Sequence, residues 1–401
     1  MDHIAVVGAG QAGATLVEGL RKGGFGGRLT LWGDEGRLPY QRPPLSKGYL
    51  LGEVTRDRLQ LRPAAFYADL DVEMRVSDPV RSIDARARTL THDGGAEGWD
   101  ALVLATGSVP RRLPAAIGGD LPGVFTIRTL DDIDAFAPYV RNGGHLLVVG
   151  GGYIGLEAAA VARKSGMRVT LLEAAKRLLS RVACWDTATW FADLHRRHGV
   201  DIREAAALDR LEAGPDGAVA RAHLSDGTVL EVDAVVCGIG IAPATALAEG
   251  AGLALDDGIA VDAMGRSSAP GIWAAGDCAS FPWRDGRLRL ESVPNAIEQA
   301  EAVAANLLGA DAPYAAKPWF WSDQYDVKLQ IAGLNDGFDN VVVRDADGAR
   351  SHWYFAGPDL LAVDAIAAPR DYMVGKRLIE AGRSPDRDAL RDPATPIKSL
   401  L

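Results

Sequence analysis

An internal repeat limits most strongly what this chain can fold into. The run VVGAGQAG at residues 6–13 is echoed by VVGGGYIG at residues 148–155. Each copy begins with an apolar run that predicts a buried strand, and continues into a helix of small residues. A second apolar strand then stops beside an acidic residue. Strand, glycine turn, helix, strand and acid form the unit that binds a dinucleotide, so we expect two such sites in one chain.

The glycines of each turn have separate tasks. In the first copy Gly8 allows the tight turn, Gly10 lets backbone approach a pyrophosphate, and Gly13 lets the helix pack closely on the strand. The start of the following helix then faces the phosphates. In the second copy the same three positions are occupied by Gly150, Gly152 and Gly155.

The acids that follow the repeat predict which nucleotides bind. Asp34 and Glu35, after the second strand of the first copy, are placed to accept hydrogen bonds from an adenosine ribose. Glu173 has the corresponding position in the second copy. A carboxylate there repels the 2'-phosphate of NADPH and binds the free hydroxyls of NADH, so we expect NADH. Arg181 and its basic neighbours either temper this preference or are solvated charges at a helix end.

Composition narrows the class of protein further. The chain has 401 residues and a net charge of -10, which predicts two to three domains and disfavours nucleic acid or an anionic membrane as a partner. Cys184, Cys237 and Cys278 lack any metal or dithiol spacing, which favours the reducing cytoplasm. Met1 leads directly into the first strand, so we expect no targeting signal. The most apolar long window, 146–162, is interrupted by glycines and an acid and does not predict a membrane span.

Other possible sites are weaker. His195 and His198, three residues apart on a predicted helix, lack further metal ligands, so we expect no metal site and a solvated helix face. Ser46 beside Lys47 resembles a Ser-Lys hydrolytic pair, but the two glycine frameworks argue against hydrolysis. Cys278, next to Asp277, is expected to be a small buried filler.

Five motifs in order carry a specific resemblance over essentially the whole chain. They are LPYQRPPLSK at 38–47, ATG at 105–107, AGD at 275–277, ESVPNA at 291–296 and PWFWSDQY at 318–325. In this combination the chain closely resembles the putidaredoxin reductase and rhodocoxin reductase family, which has the pyridine nucleotide-disulfide oxidoreductase fold. The resemblance implies a ferredoxin reductase that contains FAD and oxidises NADH.

The expected fold is α/β. Two Rossmann-like dinucleotide-binding domains form a glutathione-reductase-like three-domain architecture together with a C-terminal α+β domain. Residues 1–112 and 241–311 are expected to form the FAD-binding domain, 113–240 the NAD-binding domain, and 312–401 the C-terminal domain, where alternating runs predict strands.

The resemblance also implies roles for individual residues. Lys47 lies beside the flavin N5 and pairs with Glu157, so that the pair orients the nicotinamide. The residues implied to contact FAD are Gly10, Ala12, Gly13, Asp34, Arg42, Lys47, Val80, Arg128, Asp277, Val293 and Trp321. The cofactor-binding set predicted around them adds Gly8, Glu35, Gly150, Gly152, Tyr153, Ile154, Gly155, Glu173, Arg181 and Gly240.

The absence of cysteine from the segment 42–47 predicts the reaction class. Disulfide reductases of this fold carry a Cys-x4-Cys pair there. Without a thiol relay, two electrons received as hydride are expected to leave singly to an external acceptor. We expect a [2Fe-2S] ferredoxin that serves a haem-thiolate monooxygenase or a Rieske oxygenase, and a monomeric enzyme.

Two alternatives stay open at this point. One is a reductase of another acceptor, such as rubredoxin, monodehydroascorbate or a quinone. The other is a redox-sensing flavoprotein that resembles apoptosis-inducing factor. The expected ferredoxin surface is a basic patch formed from Arg284, Arg287, Arg289, Lys317 and Lys328.

Overall fold

The computed structural model describes residues 1–346 and 348–401. The strands over this part of the chain are β1 His3–Val7, β2 Arg28–Trp32, β3 Val72–Arg75, β4 Val80–Asp84, β5 Thr89–His92, β6 Gly95–Gly98, β7 Ala101–Leu104, β8 Ser108–Pro110, β9 Val124–Phe125, β10 His145–Val149, β11 Arg168–Glu173, β12 Val200–Glu204, β13 Leu208–Ala213, β14 Val219–Leu224, β15 Val229–Glu231, β16 Ala234–Cys237, β17 Ile241–Pro243, β18 Ile259–Ala260, β19 Ile272–Ala274, β20 Ala279–Trp283, β21 Gly286–Leu288, β22 Trp319–Gln324, β23 Val327–Gly333, β24 Asn340–Ala346, β25 Ala349–Ala356 and β26 Asp359–Ile366.

The helices lie between these strands. They are α1 Gln11–Lys22, α2 Arg56–Leu59, α3 Ala64–Asp69, α4 Leu130–Asn142, α5 Tyr153–Lys164, α6 Trp185–Arg197, α7 Ala246–Gly250, α8 Val293–Leu307, α9 Pro369–Glu380 and α10 Arg387–Arg391, with short 3₁₀ turns at Pro43–Ser46, Ala115–Ile117 and Ile397–Leu400.

The chain divides into two compact units, and the first comprises residues 1–41, 56–109 and 242–318. Its central sheet is parallel, with strand order β19-β7-β1-β2-β3. Because β19 pairs with β7, the segment after residue 271 returns to the first nucleotide-binding sheet, as the sequence predicts. Helices α1 and α8 pack against each other, and two smaller three-stranded sheets, β4-β5-β6 and β18-β20-β21, complete the unit.

Both faces of this sheet are covered, which explains why its strands read as uninterrupted apolar runs. Ile4 and Val6 of β1 belong to one buried cluster together with residues of α1 and α8. Ala5 and Val7 belong to a second cluster on the other face, together with Phe281 of β20. Side chains alternate between the faces of a strand, so β1 contributes to two cores at once.

The second compact unit comprises residues 42–55, 110–241 and 319–401. It repeats the first arrangement in a parallel sheet of order β12-β11-β10-β16-β9. The last segment forms an antiparallel sheet of order β22-β23-β26-β25-β24, against which α9 packs. The predicted α/β fold class with two nucleotide-binding sheets is confirmed. The predicted domain limits stay a prediction, and the structure groups residues 319–401 with the second nucleotide-binding sheet.

A buried polar network joins α6 to the C-terminal sheet within this second unit. Thr187 of α6 donates a 2.7 Å hydrogen bond to Asp364 and lies 2.6 Å from Nδ1 of His352. The Tyr354 hydroxyl also donates to Asp364, and it accepts from the backbone N–H of Cys184 at 3.0 Å. Burial raises the pKa of Asp364 to about 6 and lowers the pKa of His352 to about 4. Each polar group in this core has a partner, which is the condition for burying it.

Candidate functional site

The two glycine turns have the same geometry. Gly8 has a φ of +120° and lies against the backbone of Ala105, and a Cβ on Gly13 would lie 2.0 Å from the Gly8 carbonyl oxygen. Gly150 has a φ of +107°, and a Cβ on Gly155 would lie 2.0 Å from its carbonyl oxygen. Only glycine allows both the backbone conformation and the close packing of helix on turn.

The middle glycines leave room for a ligand. A Cβ on Gly10 or on Gly152 would meet no atom within 4 Å. Each of these residues is the N-cap of the following helix, α1 or α5, and neither helix has a side-chain cap. The first-turn N–H groups therefore face an open cradle, which is what a pyrophosphate requires. The residues present in both turns fit a dinucleotide.

The predicted ribose-binding acids have different surroundings. Asp34 is exposed in the loop after β2, and Glu35 accepts a hydrogen bond from the Tyr40 hydroxyl. Glu173, at the end of β11, accepts hydrogen bonds from the backbone N–H groups of Gly151 at 2.8 Å and Ala175 at 2.7 Å. Its carboxylate is thereby fixed beside the second glycine turn, with further lone pairs to accept from a ribose.

Other predicted FAD contacts lie in the first unit. Ala12 is buried on α1, and the Asp277 carboxylate accepts a 2.8 Å hydrogen bond from the Ser108 hydroxyl. Val293 is the first residue of α8, and the half-buried Val80 is the first residue of β4. The sequence correctly predicted a helix that starts in this stretch. The Ser292 hydroxyl caps it by accepting from the Asn295 N–H at 3.2 Å, and the positive end of the helix dipole can face a flavin.

The Lys47–Glu157 ion pair of the second unit is largely buried, with side chains 21% and 4% exposed. Glu157 lies on α5, one turn after the second glycine turn, and is 3% exposed. Its Oε2 accepts from Lys47 Nζ at 2.7 Å and from the Ser46 hydroxyl at 2.6 Å. Its Oε1 accepts from the Ser322 hydroxyl at 2.7 Å. A carboxylate this buried requires such donors, because burial otherwise disfavours its charged form.

Tyr153 and Ile154 open helix α5. The Tyr153 ring lies 4.9 Å from that of Phe320. Its hydroxyl is shut off from solvent with no hydrogen-bond partner among the described residues, and burial raises its pKa well above the ordinary value. Ile154 is 41% exposed. The Tyr153 side chain therefore packs towards the C-terminal sheet, whereas the exposed Ile154 side chain at the start of α5 is available to contact a bound nucleotide.

The remaining predicted residues of the second unit have these positions. Arg42 Nη1 donates to the Arg128 carbonyl oxygen at 2.8 Å. A Cβ on Gly240 would lie 3.3 Å from Arg181 Nη2, so this guanidinium lies beside the loop after β16. Trp321 is half-buried on β22, and its ring centroid is 5.6 Å from that of Trp319.

The prediction of a solvated face at His195 was wrong. His195 is fully buried, and its Nε2 lies 2.8 Å from Gln324 Oε1. Burial lowers the pKa of His195 to about 4. His198 is exposed as expected and stacks on Tyr325 at 3.6 Å. Helix spacing could not show the C-terminal strand that covers one side of α6.

Ser322 and Gln324 of β22 were missed as site residues. The only signal in the sequence was the presence of polar residues at alternate positions of an aromatic strand.

The expected basic patch is largely engaged in internal contacts. Arg289 has a 9% exposed side chain and pairs with Glu291 at 2.6 Å and with Asp257 at 3.4 Å. Arg287 donates to the backbone oxygen of Val261 at 2.7 Å. A side chain held in this way offers little charge to a partner.

Three further observations concern other possible sites. Cys278 is fully buried as expected, and burial raises the pKa of its thiol. In residues 1–346 and 348–401, no group of three or more His, Cys, Asp or Glu side chains forms a metal site. Within the same residues, every helix is too short or too polar to cross a membrane.

Comparison with known proteins places this site in context. A family model described as pyridine nucleotide-disulphide oxidoreductase matches residues 2–300, and one described as reductase C-terminal matches residues 319–401. The 5,5'-dehydrodivanillate O-demethylase ferredoxin reductase subunit of Sphingobium sp. is 42% identical, over 98% of this chain and 97% of the relative. Putidaredoxin reductase of Pseudomonas putida is 40% identical, over 100% of this chain and 97% of the relative.

A solved structure agrees closely with the fold. The crystal structure of the covalent putidaredoxin reductase–putidaredoxin complex superposes with a TM-score of 0.96 and 38% identity, covering 100% of this chain and 98% of that chain.

Two glycine turns on two parallel sheets define an oxidoreductase that binds two nucleotides. The chain belongs to the pyridine nucleotide-disulphide oxidoreductase family, and the resemblance to the putidaredoxin and rhodocoxin reductases is confirmed. Membership of this family implies a flavin and dependence on NAD(P)H.

We expect Gly155→Ala to destabilise the fold and Gly152→Ala to leave its stability unchanged. The Gly155 Cβ would overlap backbone at 2.0 Å, whereas the Gly152 Cβ would meet nothing within 4 Å. Overpacking of this kind costs about 1–3 kcal/mol. Gly155→Ala should therefore lower the Tm measured by circular dichroism, while Gly152→Ala should keep the Tm and weaken NADH binding. An equal fall in Tm for both variants would contradict this account of the turn.

A double-mutant cycle should show that Lys47 and Glu157 depend on each other. Lys47→Met leaves a buried carboxylate without its cation, so we expect a loss of about 2 kcal/mol, which Glu157→Gln in the same chain partly restores. The measurement is chemical unfolding of the two single variants and the double variant. Lys22→Met is the matched control, because Lys22 pairs with Glu18 at 2.6 Å but its side chain is 69% exposed. That control should cost less than about 0.5 kcal/mol, and additive effects at Lys47 and Glu157 would argue against coupling.

Proposed function

We propose that this chain is an FAD-dependent ferredoxin reductase that takes hydride from NADH and passes single electrons to a [2Fe-2S] ferredoxin. The ferredoxin in turn feeds a haem-thiolate monooxygenase or a Rieske oxygenase. This proposal is supported by relatives at about 40% identity over the full chain that are named as ferredoxin reductases of oxygenase systems.

The observation that carries the proposal is the Lys47–Glu157 ion pair. Glu157 lies one turn along the helix that begins at the nicotinamide glycine turn, and it holds the ammonium of a lysine from the segment 42–47. In this segment the disulfide reductases have cysteines, and this chain has none. The site therefore contains a fixed charge pair and no thiol relay.

Different residues of this protein bind the two nucleotides and orient their reacting rings. The uncapped first turns of α1 and α5 bind the two diphosphates, and Glu173 accepts from the NADH ribose. Lys47 and Glu157 orient the nicotinamide against the flavin without exchanging protons. Bound FAD supplies the acceptance of hydride and its release as single electrons.

The proposed FAD contacts extend beyond the glycine turn. Arg42 and Arg128 bind the diphosphate and adenine ends of the cofactor, and Asp277 binds its ribityl chain. Trp321 would contact the isoalloxazine, and Trp319 would lie near the electron acceptor. These assignments rest on the family resemblance together with the positions given above.

We also propose the surface that binds the ferredoxin, the oligomeric state and the cellular compartment. The candidate cations for the ferredoxin surface remain those predicted from the sequence. Among those of the first unit, Arg284 and Lys317 are expected to contribute more than Arg287 and Arg289, which are held by internal contacts. We propose a monomer that works in the cytoplasm, consistent with three buried, unpaired cysteines.

Anaerobic stopped-flow spectroscopy of the purified protein tests the proposal. NADH should bleach the visible band of the bound flavin rapidly, and the extracted cofactor should be FAD. The reduced protein is then mixed with putidaredoxin, rubredoxin, monodehydroascorbate or a quinone. We expect kcat/KM to be highest with putidaredoxin. A higher value with another acceptor would overturn the ferredoxin assignment, and slow reduction with a long-lived charge-transfer complex would favour a redox sensor.

The nucleotide preference should depend on Glu173. Glu173→Gln keeps the side-chain shape and one carbonyl acceptor but removes the charge that repels a 2'-phosphate. We expect the ratio of the NADPH Kd to the NADH Kd to fall by about 5-fold, the size of a charge contact of about 1 kcal/mol. Asp209→Asn is the control, because Asp209 is an exposed acid on β13 whose loss should leave the ratio unchanged. An unchanged ratio in Glu173→Gln would show that another group selects NADH.

A further inference from the structure

A continuous hydrogen-bonded chain runs from Glu157 into the core beneath α6. Ser322 Oγ donates to Glu157 Oε1 at 2.7 Å, and Gln324 Nε2 donates to Ser322 Oγ at 3.3 Å. Gln324 Oε1 lies 2.8 Å from His195 Nε2, and His195 Nδ1 lies 3.3 Å from the Tyr325 hydroxyl. Ser322, Gln324 and His195 are each 0% exposed. This hydrogen-bonded chain links strand β22 and helix α6 to the Lys47–Glu157 ion pair.

The carboxylate at one end fixes the direction of every hydrogen bond. An ionised carboxylate only accepts, so the single Ser322 proton points to Glu157. Ser322 must then accept from the Gln324 amide, and the Gln324 carbonyl must accept from a protonated His195 Nε2. This assigns the neutral Nε2–H tautomer to His195, and its Nδ1 accepts from Tyr325. Burial, which lowers the His195 pKa to about 4, agrees with a neutral ring.

The two oxygens of Glu157 are held unequally. Oε2 has two donors, Lys47 and Ser46, whereas Oε1 has Ser322. Without Ser322, Oε1 would be a buried acceptor lacking its donor, and the carboxylate would gain freedom to turn. Any such turn moves the oxygen that holds the Lys47 ammonium.

We propose that Ser322, Gln324 and His195 are positioning residues that fix the Glu157 carboxylate and, through it, the Lys47 ammonium. This inference rests on the proposed function, in which Lys47 and Glu157 orient the nicotinamide at the flavin. All the dipoles of the chain point their positive ends towards Glu157, so the chain also stabilises the negative charge of the carboxylate.

The hydrogen-bonded chain of side chains does not conduct protons. A carboxamide lies between Ser322 and His195, and relaying a proton through Gln324 would require its unfavourable imidic acid form. The role of the chain is therefore to hold the geometry of the ion pair. Small displacements at a reacting centre cost rate steeply, which gives remote residues such as His195 a measurable effect.

The test compares two substitutions of His195 in the purified protein with its bound cofactor. His195→Gln places an amide N–H near the position of Nε2 and keeps the donor to Gln324, whereas His195→Leu removes it. We expect flavin reduction at saturating NADH to slow by about 10-fold in His195→Leu and in Ser322→Ala, with the Kd for NADH changed by less than about 2-fold. His195→Gln should stay close to the parent protein.

A second readout does not depend on turnover. Acylation of Lys47 by an N-hydroxysuccinimide ester, followed by mass spectrometry, reports how firmly its ammonium is held. We expect the rate of Lys47 acylation to rise by about 3-fold in Ser322→Ala and His195→Leu. The acylation rate of the exposed Lys22 should stay the same. His352→Leu is the matched control, because His352 is also 0% exposed but contacts Thr187 rather than the Glu157 chain. It should destabilise the fold and leave Lys47 reactivity unchanged.

The outcomes separate this inference from the proposed function. If the parent protein is not reduced by NADH, the proposed function fails, and Lys47 reactivity still decides whether the chain holds the ion pair. If the parent protein is reduced and Ser322→Ala and His195→Leu match it in both readouts, the positioning role is overturned. Equal effects of His195→Leu, His195→Gln and His352→Leu would show that these substitutions act only through general stability. That result would also overturn the positioning role.

Discussion

The burial of one carboxylate organises the candidate site. Glu157 is 3% exposed, and a charge in that position needs donors that the local helix cannot provide. They come from two distant segments of the chain, Ser46 and Lys47 on one side and Ser322 on the other. The requirement to satisfy this single group therefore holds the 3₁₀ turn, helix α5 and strand β22 in a defined arrangement within the second unit.

The same physical solution for phosphate binding occurs twice. In each copy a glycine with positive φ makes the turn, a later glycine packs on its carbonyl, and the glycine between them leaves an open cradle at an uncapped helix start. The two copies differ in what surrounds them. The second has a buried acid one helical turn further on, where the first has Thr15 and Leu16. This difference makes the second copy part of the ion-pair site.

Much of the fold was predictable because its signals are local. The strands around both turns, helix α8 and the strands β24 and β25 follow from apolar runs, alternation and glycine positions. The His195 environment was not predictable in this way. Its helix carries charged neighbours, and the strand that buries it lies more than a hundred residues away in sequence. The polar pattern of Ser322 and Gln324 likewise gains meaning only when that strand faces α5 and α6.

The sequence by itself determined the two glycine turns, the acids that follow them and the absence of cysteine from the segment 42–47, because each depends on residue type at short spacing. Only the tertiary structure decided which side chains complete the charge pair. Hydrogen bonds between Glu157, Ser322, Gln324 and His195 join segments far apart in the chain. Such contacts arise from burial in a shared core, and no local pattern records them.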